Sequence, residues 1–300
     1  TQAKTLFPYT TLFRSALVGI PASQTSLSAT NAHETPDAIR AALYRYSPAL
    51  MQDRGVLDKN LRNDPAIIDL EELTVADFGN VSDPDSPAGE ARTIALMADA
   101  AKASELVIAL GGDNSITVAA ALGVWGSDLE TAGLITLDAH YDLRDGVSNG
   151  SPVRRLIEAG MNPERIVQIG IQDFANSASY ARRAQEFGIT VIHRDDLERR
   201  SMAEVMAEAL SIAGSAGGPI HVDLDVDVCD RAVAPACPAS VPGGISAYEL
   251  RQAARAAGKH SQVHSIDLAE IDATMDAPDG RTIRLAALCV LEAVAGLSQR

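Results

Sequence analysis

Three short segments concentrate residues able to hold a metal ion. In LITLDAHYDLR, Asp138, His140 and Asp142 follow an apolar run at a spacing of two. Alternate positions of an extended segment share a face, so two carboxylates and an imidazole converge at one strand end. HVDLDVDVCD repeats that spacing with Asp223, Asp225 and Asp227. Like charges this close repel and lose solvation unless a cation lies among them. Either motif alone fits a capped turn or a solvated acidic rim; two such strand ends in one sheet point to metal binding. Carboxylate oxygens with one imidazole and no thiolate suit Mn²⁺ or Mg²⁺ better than structural zinc. Cys229, two residues beyond Asp227, is read as a small core residue. The five carboxylates exceed what one ion needs, which suggests a pair of ions. Such a pair makes water nucleophilic at neutral pH and clamps the oxygen that gains charge. SIDLAEID brings Glu270 to a third strand end, where an acid outside the ligand set suits a guanidinium or amidinium group. Taken by itself, Glu270 is equally an ordinary acid at a helix start. LGGDNSIT adds Asn114 after a glycine pair that would let the chain turn.

The elements that must position these residues follow from the apolar pattern. ALVGIP, LVIALGG, AGLITLDAH, RIVQIGI, TVIHRDD, PIHVDLDVDV and VHSIDLAEID each read as a strand. Their continuous Val, Ile and Leu content predicts burial on both faces. PDAIRAALYRYS, EARTIALMADAAKAS, SYARRAQEFG, SAYELRQAARAAG and IRLAALCVLEAVAGLS read as amphipathic helices between or after them. Alternation of this kind predicts one α/β domain, three layers deep, with a mostly parallel, doubly wound sheet. Ligands of such a sheet sit beyond the carboxyl ends of its strands, where the acids above fall. The stretches Tyr46 to Pro65 and SDPDSPAGE read as surface connections.

Composition narrows the partners. Of 300 residues, 40 are acidic and 25 are Lys or Arg, a formal charge of −15. Nucleic acid and anionic membrane need a basic footprint and are poor partners, leaving a small molecule as the expected ligand. Cys229, Cys237 and Cys289 form no CxxC pair and leave an odd count, which predicts reduced thiols and a cytoplasmic location. The most apolar long stretch, Ile283 to Leu297, carries Glu292, so no membrane span is expected. TLFPYTTLFRS resembles the translation of a sequencing-adapter oligonucleotide. Residues 1–15 are therefore expected to be non-native, and 16–300 to be the catalytic domain.

GGDNS, LDAHYD, DVDVCD followed by Pro242-Gly243-Gly244, and LAEID resemble, in order, the motifs of the ureohydrolase superfamily, which includes arginase, agmatinase and formimidoylglutamase. The resemblance covers residues 16–300. It implies an arginase-like fold, two Mn²⁺ ions and a homo-oligomer, a trimer or hexamer. It also decides what periodicity leaves open: the ligand pair becomes Asp225 and Asp227, with Asp230 as a third acid, and Asp223 drops out. By resemblance, Asp138 and Asp227 bridge the ions, His140 and Asp225 complete one site, and Asp142 and Asn114 complete the other. The family pattern has histidine where this chain has Asn114, so the ion beside it is expected to be the looser. The same Asn114, taken alone, would serve as a helix cap. Glu270 falls on the amidinium-binding glutamate.

The segment after DAHYD faces substrate in that family. Here it reads LRDGVSNGSPVRRL, with Arg144, Asn149, Ser151 and Arg154 and no histidine. An arginine so close to the ligands repels a cationic tail and suits a carboxylate. SNGSP and IGIQDFANSASYARRAQEFGI resemble formimidoylglutamase segments, with Gln172 and Asn176 as further candidates. The implied reaction is N-formimidoyl-L-glutamate plus water giving L-glutamate and formamide, as in histidine degradation. Asp142 and Glu270 would be its catalytic residues, and Arg144, Asn149, Ser151 and Glu270 its substrate contacts. One alternative is a guanidino-compound hydrolase releasing urea; another is a metal-poor, catalytically silent family member.

Overall fold

The computed structural model describes residues 4–5, 13–47, 49–51, 67–69 and 74–300. In chain order the first elements are β1 (Lys4–Thr5), β2 (Phe13–Ile20), α1 (Thr35–Leu43), β3 (Ala49–Met51), β4 (Ile67–Asp69) and β5 (Val75–Asn80). There follow α2 (Pro87–Ala103), β6 (Ser104–Gly111), α3 (Ile116–Trp125), β7 (Gly133–Leu137), α4 (Pro152–Glu158) and β8 (Ile166–Ile171). The chain continues through α5 (Ala178–Phe187), β9 (Thr190–His193), α6 (Met202–Ala213) and β10 (Ile220–Asp225). It closes with α7 (Ala247–Lys259), β11 (Val263–Ala269) and α8 (Arg281–Leu297).

The main sheet runs β1-β5-β2-β6-β11-β10-β7-β8-β9. Its eight strands from β5 to β9 are all parallel; β1 alone is antiparallel. All seven strands expected from the apolar runs are present. β5 adds one more, because VADFGN carries too many polar residues to read as a buried strand: Asp77 in it is paired with Arg40 of α1 at 2.9 Å. β3 falls in the stretch expected to be irregular and pairs antiparallel with β4, which lies just beyond it. Residues 48 and 52–65 of that stretch lie outside the described residues.

Alternation along each strand feeds two buried layers. Leu106, Ile108 and Leu110 of β6 pack with α7 and α8 residues such as Leu250, Ala254 and Ala286. Val107 and Ala109, between them, pack with Met97 of α2 and Ile116 of α3. Each fully buried Leu or Ile contributes roughly 1.5–3 kcal/mol, so two complete layers outweigh the short strands' weak local preference. The helix in EARTIALMADAAKAS starts three residues before Glu90, at Pro87, because Ser86 caps it by accepting a bond from the Gly89 N–H at 3.0 Å. Glu292 lies on the buried side of α8 and accepts bonds from Arg251, at 2.6 Å, and from Arg255 of α7. Among the described residues no helix is long and apolar enough to cross a membrane. The three thiols are free and buried.

The glycine pair of LGGDNS does something other than turn the chain. Neither glycine has a positive φ. A Cβ on Gly111 would fall 2.5 Å from the Leu268 carbonyl oxygen, and one on Gly112 would fall 2.3 Å from that of Ala22. Close approach, not conformation, requires glycine here. It packs the end of β6 against β11 and the loop after β2, and so sets where Asn114 stands.

Candidate metal centre and substrate cavity

Four adjacent strands, β6, β11, β10 and β7, end side by side, and each delivers an acid or amide at its carboxyl end. Asn114 follows β6 and Glu270 follows β11. Asp225 ends β10 with Asp227 just beyond, and Asp138, His140 and Asp142 follow β7. Ligand atoms of Asp138, His140 and Asp227 all lie within 4.8 Å of one another. His140 Nδ1 is 2.6 Å from Asp227 Oδ2 and 3.4 Å from Asp138 Oδ1.

Backbone amides hold the acids in place. Asp227 Oδ1 accepts a bond from the Ala139 N–H at 2.8 Å, Asp138 Oδ1 from the His140 N–H at 2.6 Å, and Asp225 Oδ1 from the Asp227 N–H at 2.8 Å. Asn176 clamps the loop that carries His140: its side chain donates to the Ala139 carbonyl at 2.8 Å and accepts from the Tyr141 N–H at 3.1 Å. Asp142 and Glu270 both sit in the left-handed region, at φ 52° and 61°. A non-glycine residue there costs on the order of 1–3 kcal/mol, strain that accumulates where side-chain aim matters more than stability.

The electrostatics of this bowl favour a cation. Asp138, Asp142, Asp225, Asp227 and Glu270 are all buried, and His140 is the only basic group among them. Burial and the neighbouring Asp227 raise Asp138 to about 7. Burial and Asp138 push Asp142 well above the usual carboxylate range, as burial and Asp227 do for Asp225. Glu270 rises to about 8, chiefly through burial. Burial opposes the charge on His140, but Asp227 and Asp138 beside it overcome that and raise it to about 12. Burial likewise works against the Asp227 charge, and His140 outweighs it, holding Asp227 low. Asp138 Oδ2 is buried without a hydrogen-bond partner among the described residues. An orphaned carboxylate oxygen inside a nest of acids fits a hard divalent cation, and the donor set fits Mn²⁺.

A pH dependence follows for the chelator-treated protein. Acids raised by folding stabilise the chain at low pH and lose that contribution as pH climbs through their folded values; Asp138 and Glu270 place the loss between about 4 and 8. His140, raised from 6.5, loses its contribution in the same direction above that value. Asp227 acts oppositely, but only in acid. Metal-free protein is expected to melt at a higher temperature at pH 5 than at pH 8, and saturating Mn²⁺ to abolish the loss at pH 8. Calorimetry at the two pH values checks this; a metal-free melting point that rises with pH would contradict it.

Above the bowl opens a cavity of about 400 Å³, lined by His140, Asp142, Asp225, Asp227 and Glu270 at its floor and by Arg144, Asn149, Asn176 and Tyr180 higher up. Of the residues expected to touch substrate, Arg144, Asn149 and Glu270 reach this cavity. Ser151 does not: it is fully buried, its hydroxyl donating to the Ser148 carbonyl at 2.8 Å and accepting the Ser148 N–H at 2.9 Å. SNGSP needs that hydroxyl to close its own turn. Arg154 also faces away, donating to the Arg144 carbonyl at 2.6 Å and pairing with Glu158. Asn149 is committed at both ends, accepting the Leu27 N–H at 3.0 Å and donating to Glu270 Oε1. Glu270 Oε1 also accepts the Asn114 N–H at 3.3 Å, and Oε2 has no partner among the described residues. Asp230 stands apart from the bowl, capping a turn through the Ala232 and Gly243 N–H groups, each at 2.7 Å. Asp223 is buried one strand step below, next to Asp267 in the sheet register. His221 is a satisfied core histidine, 2.7 Å from Ser265 Oγ and 3.1 Å from Asp267 Oδ2.

Sequence reasoning missed two contributors. Tyr180 lines the cavity from the first turn of α5, where its spacing reads only as a helix face. Thr117 fixes the Asn114 amide by donating to Oδ1 at 3.0 Å, while Asn114 Nδ2 donates to Asp142 at 2.6 Å.

The comparisons with known proteins agree with this geometry. The arginase family model matches residues 13–296. A formimidoylglutamase of Halalkalibacterium halodurans is 33% identical over 289 residues, 93% of this chain and 86% of that protein. The crystal structure of formimidoylglutamase from Bacillus subtilis superposes with a TM-score of 0.82 at 26% identity, covering 97% of this chain and 90% of the other. That of Trypanosoma cruzi formiminoglutamase with Mn²⁺ shares the fold, with a TM-score of 0.82 at 20% identity over 96% and 94% of the two chains. With a family model spanning nearly its whole length, the chain belongs to the arginase family.

Proposed function

We propose that this protein is a hydrolase of linear amidines, converting N-formimidoyl-L-glutamate and water to L-glutamate and formamide. The observation that carries this reading is the polarity of the cavity: buried acids form its floor, and Arg144, with no ion pair among the described residues, stands at its rim. A substrate with a cationic amidinium head and an anionic tail matches both ends. The formimidoylglutamases among its relatives agree with that choice.

Asp138, His140, Asp142, Asp225 and Asp227, with Asn114 beside them, would hold two Mn²⁺ ions. When bound, they supply Lewis acidity and make water nucleophilic at neutral pH. The chain's own residues supply the rest. Glu270, tethered through Oε1, turns Oε2 to the amidinium and stabilises its charge. Arg144 receives a carboxylate through its fork. Water adds to the formimidoyl carbon, the bond from that carbon to the glutamate nitrogen breaks, and the nitrogen leaves with a proton that Asp142 is placed to deliver. Asn149 acts by aiming Glu270, and Asn176 by fixing the His140 loop.

Asn114 presents its amide nitrogen, not its oxygen, to Asp142. Ligation through Oδ1 requires the amide to turn over, and the Thr117 hydroxyl can serve either end as donor or acceptor. That added step is a second reason for the adjacent ion to be held loosely. Asn114→His is expected to slow Mn²⁺ loss to a chelator about tenfold or more, imidazole being the stronger donor. Unchanged retention would remove Asn114 from the ligand set.

A carboxylate-free guanidine such as agmatine leaves Arg144 without a partner, and the silent reading lacks an explanation for so many retained acids; a guanidino acid would suit the same cavity and is told apart by its product. Product analysis tests the choice. Formamide and glutamate released one for one are expected; urea from a guanidino substrate, with no formamide, would establish the alternative.

A further inference from the structure

We infer that Tyr180 is a positioning residue that fixes substrate specificity by holding Arg144 over the cavity without neutralising it. The inference rests on the functional reading above. Arg144 stands where a flexible, exposed side chain would otherwise wander. Its backbone is pinned by a bond from its N–H to the Gly150 carbonyl at 3.0 Å and by Arg154 on its own carbonyl. Its aliphatic stem lies against Gly150, where an added Cβ would fall 2.7 Å from Arg144 Cδ. Its guanidinium carbon then lies 5.6 Å from the centre of the Tyr180 ring.

The choice of an aromatic partner has a chemical consequence. An acid would hold the guanidinium more firmly and cancel the charge that a substrate carboxylate must meet. A ring face attracts the cation through its quadrupole and leaves the charge and all five N–H donors available. Arg183 supplies the contrast. It lies 5.9 Å from the same ring, but its charge is met by Asp145 at 2.9 Å and it is tied to the Leu143 carbonyl at 2.6 Å. Of the two cations flanking Tyr180, only Arg144 lines the cavity, and only Arg144 is unpaired among the described residues. Tyr180 itself is packed against the apolar layer that holds Leu143 and Ala184, which keeps the ring from following the arginine.

The test compares Tyr180→Phe with Tyr180→Leu in the Mn²⁺-loaded full chain. Both keep apolar bulk in the layer; only phenylalanine keeps the quadrupole. For N-formimidoyl-L-glutamate, Tyr180→Leu is expected to raise KM about threefold to fivefold, with kcat within twofold of wild type. Tyr180→Phe should restore the wild-type KM. For N-butylformamidine, which has no carboxylate, all three proteins should share one KM. Equal KM values for formimidoylglutamate in wild type and Tyr180→Leu would overturn the inference alone. So would an equal rise for both amidines, which marks a merely structural role. A wild type that releases no formamide from formimidoylglutamate would overturn the functional reading and this inference with it.

Discussion

Asp227→Asn is expected to empty the metal centre and to lower kcat/KM by roughly 10³–10⁴-fold, the equivalent of several kcal/mol of lost charge stabilisation. Asp227 ties three parts of the bowl together. It faces His140 Nδ1 at 2.6 Å, accepts the Ala139 N–H at 2.8 Å, and its own N–H fixes Asp225. Asparagine keeps the size and the bond to Ala139 but halves the available carboxylate oxygens and removes a charge from the proposed centre. The fold should survive, because asparagine keeps the bond to the Ala139 N–H, and the pairing lost with His140 is offset by relieved repulsion on Asp138 and Asp225. Metal content by plasma mass spectrometry and a thermal melt separate the two effects. A variant that keeps two Mn²⁺ per chain and near-wild-type turnover would remove Asp227 from the centre.

Glu270→Gln is the second large effect, and it should leave the metal content untouched. Glu270 reaches the cavity from the end of β11 but sits in the left-handed conformation, with one oxygen tethered by Asn149 and by the Asn114 N–H. A glutamine can keep the tethered oxygen and offers a neutral amide where the free carboxylate oxygen was. What it loses is the negative charge opposite the amidinium, in a setting where burial makes charge interactions strong. The expected loss is about 10²–10³-fold in kcat/KM, comparable to removing one preorganised electrostatic contact. A loss below tenfold would mean that the amidinium is held elsewhere. A loss accompanied by falling Mn²⁺ occupancy would make Glu270 a ligand.

Much of this centre is legible in the sequence because its chemistry and its strands share one grammar. Apolar runs that end in acids at a spacing of two mark both a buried parallel strand and its ligands, so β7 and β10 announce themselves. β5 is hidden because Asp77, Gly79 and Asn80 break the apolar pattern, and only the tertiary pairing of Asp77 with Arg40 accounts for it. Ser151 misleads for a related reason: SNGSP has the residues of a binding loop, but serines also close turns with their own hydroxyls, and spacing does not separate the two uses. Asn149 was visible as a polar side chain near the substrate, while its bond to Glu270, 121 residues away, was not. Tyr180 escaped because a partly buried aromatic on an amphipathic helix carries no mark of the arginine above it. The glycine pair was legible as a constraint but not in kind, since a close approach to Leu268 and Ala22 looks in sequence like a turn.

The most direct test of the central claim is the fate of the water oxygen. Mn²⁺-loaded protein is incubated with N-formimidoyl-L-glutamate in ¹⁸O-labelled water, and the products are resolved by mass spectrometry. Attack on the formimidoyl carbon predicts one ¹⁸O in each formamide and none in glutamate, with the two products in equal amount. Absence of formamide, or formamide released without the label, would contradict the account.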